Sequence, residues 1–239
     1  MKPPEPIRQS LSDNRQIAAQ ASCGTSAEAI HQAILEQSKQ LHRPGQSDAL
    51  DFGAGTGDLA AKLVRQGLFQ QVHAVDLIPY PEANLEGIHW HYADLNEPLG
   101  NLETRFDAIF AAEVIEHLEN PRALARDWFR MLKPGGWVVC STPNNESWRS
   151  LVSLIIRGYY VAFGPLNYPA HITPMLALDL QRIFSEAGFE EIQIKFTNHG
   201  SFPRWTTKTW QSVSWGMLSG RRFSDNVIAI GRKPNDGNR

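Results

Sequence analysis

Two carboxylates and an imidazole lie within one short stretch of the sequence, Glu113-Val114-Ile115-Glu116-His117, directly after an apolar segment. Such side chains can take a proton from a reacting group or hold a divalent cation. Oxygen-rich ligation with one histidine suits Mg²⁺ or Mn²⁺ better than a structural zinc ion. Three interpretations are open: Glu113, Glu116 and His117 bind such a cation; His117 alone is a general base that Glu116 orients; or Glu113 caps the end of the strand, Glu116 is solvated and His117 packs against Pro121.

A glycine turn, Asp51-Phe52-Gly53-Ala54-Gly55-Thr56-Gly57, lies between an apolar segment and a helical pattern. Glycines permit positive φ and a close approach of a ligand to the backbone, and the following helix offers free N–H groups to an anion. The outer glycines are four positions apart, whereas the dinucleotide fingerprint places them five apart. Asp76 ends the next apolar segment, where a carboxylate can accept hydrogen bonds from both hydroxyls of a ribose.

The elements that position these residues alternate along the chain. Short apolar segments predict seven strands at 48–52, 72–75, 88–92, 106–111, 137–141, 191–196 and 226–231. Helices are predicted from a capping box at 25–28, over 58–66, from Asn120-Pro121, and from Thr173-Pro174. This order predicts a three-layer α/β fold, with a mostly parallel sheet and helices on both faces. Little helical periodicity joins the last two strands, so one of them is expected to run antiparallel.

The composition excludes several classes of protein. The chain has 239 residues, 42% of them hydrophobic, and a net charge of −2, which is typical of a globular domain without a general attraction for nucleic acid. Two cysteines cannot build a disulfide framework or a cysteine-rich zinc site. No apolar leader or unbroken transmembrane segment is visible, so the sequence predicts a soluble, cytoplasmic protein. We expect an N-terminal arm over 1–25 and one domain over 26–239.

Five motifs occur in order: the turn at 51–57, Val75-Asp76-Leu77, Ala93-Asp94-Leu95, Phe106-Asp107-Ala108-Ile109 and Leu132-Lys133-Pro134-Gly135-Gly136. Together they make the region from about 26 to 196 resemble class I S-adenosylmethionine (SAM)-dependent methyltransferases. The resemblance implies a Rossmann-like sheet of seven strands with the last strand antiparallel, and it implies SAM as cofactor.

The resemblance also implies a role for particular residues. Gly53, Ala54 and Gly55 would back the methionine part of SAM, above Asp51, which would lie beneath its amino group. Asp76 would hold the ribose hydroxyls. The adenine pocket would be formed by Asp94, which accepts from the amino group, by Leu77 and Leu95, which flank the ring, and by Ala112.

The acid–histidine spacing resembles ubiquinone-biosynthesis O-methyltransferases, in which E-x-x-E-H is associated with a divalent metal; the matching residues here are Glu113, Glu116 and His117. We therefore expect methyl transfer to a hydroxyl of a small molecule, such as a quinol, phenol, sugar or specialised metabolite. Nucleic acid is not the expected partner, and the sequence predicts no oligomeric state.

Two alternatives stay open. The same spacing resembles small-RNA 3′-end 2′-O-methyltransferases, and Arg204, Lys208, Arg221 and Arg222 make the C-terminal part basic. The third possibility is a SAM-binding protein without catalytic activity.

The irregular segment at about 144–173 is expected to cover the substrate. It contains His171, which either faces the methyl acceptor as a second catalytic residue or is an ordinary loop residue. The apolar patch at 151–156 is a weak signal for peripheral contact with a membrane. The tryptophans between 202 and 223 are expected to seal a core edge or a dimer contact.

Overall fold

The computed structural model describes residues 11–22, 24–78, 86–99, 102, 104–202 and 205–235. The first ten residues of the predicted arm, Cys23 and Arg204 therefore lie outside the described residues. The remainder of the predicted arm contains a helix, and the division into an arm and a domain stays a prediction.

Seven α-helices occur in the described residues: α1 (Leu11–Ala21), α2 (Glu28–Leu41), α3 (Asp58–Gln66), α4 (Pro121–Met131), α5 (Trp148–Arg157), α6 (Ala177–Ala187) and α7 (Trp210–Val213). The strands are β1 (Asp48–Phe52), β2 (Gln71–Asp76), β3 (Ile88–Tyr92), β4 (Phe106–Ala112), β5 (Leu132–Pro143), β6 (Glu190–Phe196), β7 (Ser201–Phe202), β8 (Trp205–Thr209) and β9 (Asn226–Arg232).

Seven of these strands form one sheet in the order β3-β2-β1-β4-β5-β9-β6. The first five strands in this order, from β3 to β5, are parallel to one another. The strand β9 runs antiparallel to both β5 and β6. The expected fold, with its antiparallel last strand, is confirmed. The strands β7 and β8 form a separate two-stranded ribbon.

Buried apolar side chains on the two faces of the sheet explain the three layers. On one face, Trp128 of α4 and Phe184 of α6 pack into the cluster that contains Ile109. On the other face, Ile34 of α2 and Leu63 of α3 pack into a second cluster. Because β4 is covered on both sides, its sequence is apolar from Ala108 to Ala112 rather than alternating, with Asp107 as its one charged residue.

The ends of the helices follow the sequence signals in part. Asn120 caps α4, since its Oδ1 accepts the N–H of Ala123 at 3.0 Å, and Gly67 ends α3 with a φ of 68°. The capping box predicted at 25–28 is wrong. The helix α2 begins at Glu28 after Ala27, which has no side chain that can cap, and the hydroxyl of Ser26 contacts His31 instead.

The predicted start of α6 is also too early. The helix begins at Ala177, not at Thr173, because the backbone N–H groups of Ile172 and Thr173 donate to the carbonyl of Glu116 and hold this part of the chain extended. The segment at about 144–173, which was expected to be irregular, contains a helix. The apolar patch at 151–156 is part of this ten-residue helix, α5.

The helix α5 has its small polar residues inside and its aliphatic residues outside. Ser150 and Ser153 are buried, whereas Ile155 and Ile156 are 83% and 75% exposed. Contact of this face with a membrane surface stays a prediction. Among the helices of the described ranges, none combines the length and the apolar character that a bilayer crossing needs.

The packing of α6 generates a first prediction. Phe184 is fully buried, and its ring lies 6.2 Å from that of Trp128 and 5.2 Å from that of Phe189, measured between centroids. Replacing Phe184 by Ala should lower the free energy of unfolding by about 3–5 kcal/mol, because it removes buried area and leaves a cavity. Urea denaturation measures this. The matched variant is Leu178→Ala on the same helix, where the side chain is 47% exposed; similar losses in both variants would contradict the assigned core.

Candidate functional site

The glycine turn lies at the carboxyl end of β1 and is shaped by contacts that a side chain would block. Gly53 and Gly55 have φ values of 76° and 54°. A Cβ on Gly55 would lie 2.0 Å from the carbonyl oxygen of Gly24, and a Cβ on Gly53 would lie 2.4 Å from Val114. Both positions therefore require glycine, because the turn packs closely against the backbone of Gly24 and the side chain of Val114.

Asp76 at the end of β2 fastens this turn. Its Oδ2 accepts the N–H of Gly55 at 2.7 Å, and its Oδ1 accepts the N–H of Ile78 at 2.8 Å. The carboxyl group is buried, and this burial raises its pKa. Each oxygen keeps further acceptor capacity towards the cavity that Asp76 lines.

Asp51 is a buried carboxylate with an unsatisfied oxygen. The residue is 1% exposed, and its Oδ2 has no hydrogen-bond partner among the described residues. Burial raises the pKa of Asp51 to about 7. A buried polar atom without a partner is costly, and an ammonium group in the cavity would satisfy it.

A cavity of about 620 Å³ lies at this edge of the sheet. It brings together eight of the nine predicted cofactor-binding residues: Asp51, Gly53, Ala54, Asp76, Leu77, Asp94, Leu95 and Ala112. Gly55 is not among the residues that line it, since its N–H is turned to Asp76 and its Cα to Gly24. Eight of the predicted residues thus line the same cavity, and Gly55 lies next to it without lining it.

Sequence reasoning missed the contribution of α1. Asn14, Arg15, Ile17 and Ala18 line the cavity, although the sequence placed them in an arm. Arg15 donates to Asp94 at 3.0 Å and to Glu97 at 2.7 Å, and it holds both oxygens of Glu119 at 2.8 and 3.0 Å. No local signal in the sequence indicates which acids Arg15 meets.

The acid–histidine cluster follows β4 in a tight turn. Glu113 has a φ of 56°, which is unusual for a residue with a side chain, and Ile115–His117 form a 3-10 turn. The carboxylate of Glu113 accepts from the hydroxyl of Ser141 at 3.2 Å and from the amide of Asn226 at 3.0 Å. Burial raises the pKa of Glu113 to about 7.

Glu116 lies deeper than Glu113. It is 0% exposed; its Oε2 accepts from the hydroxyl of Thr142 at 3.0 Å, and its Oε1 has no partner within the described part of the chain. Burial and then repulsion from Glu113 raise the pKa of Glu116 well above its ordinary value. This carboxyl group therefore needs either a proton or a cation.

The two predicted catalytic histidines lie side by side. The Nδ1 of His117 is 2.8 Å from the carbonyl oxygen of Ala170, so this nitrogen carries the hydrogen, and in the neutral ring the lone pair is on Nε2. The rings of His117 and His171 are 4.7 Å apart in a T-shaped arrangement. The Nδ1 of His171 is buried and finds no partner in the described ranges. Burial, then the neighbouring His117, lowers the pKa of His171 to about 4.

Three of these side chains lie close enough together to be ligands of one cation. One ligand atom each from Glu116, His117 and His171 lies within 4.8 Å of the other two. Glu113, which the sequence grouped with Glu116 and His117, is not part of this group and is bonded to Ser141 and Asn226. The metal role of these residues stays a prediction, as do the catalytic roles of His117 and His171.

The segment at 144–173 covers part of the cavity. Tyr168, Pro169, His171 and Ile172 line it, which agrees with the position expected for this segment. In the C-terminal region, the ring of Trp210 packs 4.1 Å from Phe202 and 5.4 Å from Phe223, as expected of a residue that seals a core edge, whereas Trp215 is 93% exposed.

Comparison with known proteins agrees with this geometry. The family model described as "Methyltransferase domain" matches residues 24–194. A ubiquinone biosynthesis O-methyltransferase of Cereibacter sphaeroides is 31% identical over 191 residues, which cover 75% of this chain and 70% of that protein.

A biotin biosynthesis bifunctional protein BioHC of Teredinibacter turnerae is 28% identical over 162 residues, which are 61% of this chain but 27% of that protein. The crystal structure of a SAM-dependent methyltransferase from Archaeoglobus fulgidus shares the fold with a TM-score of 0.60 at 20% identity, over 90% of this chain and 97% of that one. The chain belongs to the SAM-dependent methyltransferases, and within them it resembles the ubiquinone-biosynthesis O-methyltransferase group.

Proposed function

We propose that this chain transfers the methyl group of SAM to a hydroxyl oxygen of a small molecule of the quinol, phenol, sugar or specialised-metabolite type. The convergence of Glu116, His117 and His171 beside the cavity of Asp51 and Asp76 carries this proposal. A hydroxyl is a weak nucleophile until its proton is removed, and these side chains are of the types that remove or acidify one.

The cavity fits the cofactor on the chemistry of its walls. The unpartnered oxygen of Asp51 suits the amino group of the methionine part, and the remaining acceptor capacity of Asp76 suits the two ribose hydroxyls. The adenine would then be surrounded by Asp94, Leu77 and Leu95. Arg15 of α1 donates a hydrogen bond to Asp94 at the same end of the cavity.

In the reaction, His117 takes the proton. The acceptor oxygen forms a bond to the methyl carbon while the carbon–sulfur bond breaks, and the electron pair of that bond stays on sulfur. The hydroxyl proton passes to Nε2 of His117, which carries the lone pair of the neutral ring because Nδ1 donates to the carbonyl oxygen of Ala170. His171 lies against His117 and lines the same cavity, where it limits how the acceptor approaches.

A divalent cation is the alternative to His117 as the base, because Nε2 of His117 cannot hold an ion and accept a proton at the same time. The orphaned Oε1 of Glu116 and Nδ1 of His171 would both gain a partner from an ion held with His117. A carboxylate with two imidazoles suits Mn²⁺ at least as well as Mg²⁺, since imidazole is the softer ligand. Such an ion would lower the pKa of a hydroxyl that binds next to it.

The basic residues that favoured an RNA acceptor are partly used within the fold. Arg221 pairs with Glu146 at 2.6 Å, and Nη1 of Arg222 donates to the backbone oxygen of Glu146 at 2.7 Å. Together with the net charge of −2, this supports a small acceptor over a polyanion.

The cofactor assignment predicts a loss of affinity in Asp76→Ala. Removing a carboxylate that accepts from two ribose hydroxyls costs about 1.5–3 kcal/mol per hydrogen bond, about 3–6 kcal/mol for the pair, so the Kd for SAM should rise by roughly 10²- to 10⁴-fold. Isothermal titration calorimetry measures this. Asp127→Ala removes a carboxylate on α4 that does not line the cavity and serves as the control; unchanged affinity in Asp76→Ala would refute the cofactor site.

The role of His117 predicts a loss of turnover with intact cofactor binding. With catechol as the probe acceptor, the chain should form the monomethyl ether and S-adenosylhomocysteine, and His117→Gln should lower kcat by about 10²- to 10⁴-fold. The Kd for SAM should stay within about threefold of the parent value. Aniline is the matched amine acceptor; faster methylation of its nitrogen than of the catechol oxygen would overturn the proposed O-methylation.

The cation predicts sensitivity to chelation. Dialysis against EDTA should lower the rate of catechol methylation, and Mn²⁺ or Mg²⁺ should restore it. In Glu116→Gln, neither EDTA nor added Mn²⁺ or Mg²⁺ should change the rate of catechol methylation. If the EDTA-treated parent protein stays fully active, the cation is excluded and proton transfer falls to His117 alone.

A further inference from the structure

Three polar side chains that the proposed reaction does not use form a hydrogen-bonded row at the wall of the cavity. Nζ of Lys62 on α3 is 2.9 Å from Nδ1 of His31 on α2, and Nε2 of His31 is 2.5 Å from the hydroxyl oxygen of Ser26. Ser26 and His31 line the cavity, and His31 is 4% exposed. The ammonium group of Lys62 also pairs with Glu28 in the first turn of α2, so it is held in place from both sides.

The direction of the hydrogen bonds in this row is set by Lys62. An ammonium group has three hydrogens and no acceptor, so Nδ1 of His31 must accept from it. In the neutral ring the hydrogen is then on Nε2, which donates to the oxygen of Ser26. Burial, then the charge of Lys62, lowers the pKa of His31, so the ring is neutral near pH 7.

This direction excludes one chemical role for Ser26 and favours another. His31 cannot take the proton of Ser26, because the nitrogen that faces the hydroxyl already carries a hydrogen; the two residues are therefore not a nucleophile and its base. The oxygen of Ser26 accepts from His31, and the hydroxyl keeps its own hydrogen for an acceptor in the cavity. Ser26 is thus a hydrogen-bond donor with a positive charge behind it.

The row lies at the end of the cavity beside the glycine turn. The N–H of Thr56 donates to the carbonyl oxygen of Gly24 at 2.9 Å, which holds the segment before α2 against this turn. Ala27 lines the cavity immediately before α2, and no side chain caps this helix. The partial positive charge of the first turn of α2 adds to that of Lys62 at this end.

We propose that Ser26, held as a donor by His31 and Lys62, binds the α-carboxylate of the methionine part of SAM. This inference rests on the proposed placement of SAM in the cavity. Asp51 and Asp58 line the same end and suit the amino group, whereas the carboxylate beside that group requires a donor, which Ser26 offers. His31 and Lys62 are positioning residues, because they act through the hydroxyl of Ser26.

Two ligands that differ only in the carboxylate test the assignment of Ser26. S-adenosylhomocysteine carries this group, and its decarboxylated analogue keeps the amino group but lacks the carboxylate. In isothermal titration calorimetry with the full chain, the Kd for the analogue should be at least about tenfold higher. Ser26→Ala should raise the Kd for S-adenosylhomocysteine by roughly 10- to 100-fold and change the Kd for the analogue by less than about twofold. Ser26→Thr keeps a hydroxyl and should retain the preference.

Lys62→Met tests the positioning role. Without the ammonium group, the hydrogen of His31 can move to Nδ1, and Ser26 then donates to Nε2 instead of to the ligand. The preference for S-adenosylhomocysteine over the analogue should therefore fall by about three- to tenfold. Lys62→Arg keeps a cationic donor and should restore most of it. A residue that only supports the fold would weaken the binding of both ligands alike.

A matched control and the fold of each variant complete the test. Ser38→Ala removes a buried hydroxyl of the same helix that does not line the cavity, and it should leave both Kd values unchanged. Circular dichroism shows whether each variant folds, and Lys62→Met carries the test if Ser26→Ala is destabilised. A parent chain that binds neither ligand would overturn the proposed cofactor site itself. Equal affinity of the parent chain for the two ligands, or an equal loss for both in Ser26→Ala, would overturn only the role of Ser26.

Discussion

The hydrogen bond between the N–H of Gly55 and the carboxylate of Asp76 is the contact on which the end of the cavity beside the glycine turn depends. It joins the turn after β1 to the end of β2, two strands that are neighbours in the sheet. The turn can come this close because Gly55 has no side chain to collide with Gly24. Asp51 and Asp76 thereby reach the same cavity, although they leave different strands. The site thus follows from where two parallel strands end.

The side of the cavity that His117 and His171 line is held by a different contact. The carbonyl oxygen of Glu116 accepts from the backbone N–H groups of Ile172 and Thr173, at 3.0 and 2.9 Å. The same residue offers the buried carboxylate of the acid–histidine cluster. The backbone of Glu116 thus binds the segment that covers the cavity, while its side chain belongs to the acid–histidine cluster. This contact places His171 next to His117.

Much of the fold was predictable because its signals are local. Apolar runs indicated the seven strands, and Gly67 and the Asn120-Pro121 pair marked helix ends that the structure confirms. Two of the failures have a common cause. The late start of α6 and the pairing of Arg15 with Asp94 depend on residues that are distant in the sequence, and spacing does not reveal such partners. The motifs at 106–109 and 132–136 also serve the scaffold, since Nζ of Lys133 bridges Asp107 and Asp48.

The guanidinium of Arg15 is surrounded by three carboxylates, and α1 supplies one wall of the cavity. The helix α1 is therefore part of the enclosure of the cavity. A version of the chain trimmed to begin at α2 would keep the whole sheet, yet it would open the side of the cavity at Asp94 to water and leave Asp94, Glu97 and Glu119 without the guanidinium group that they share. Boundaries drawn for expression or crystallisation should for this reason be placed ahead of residue 11.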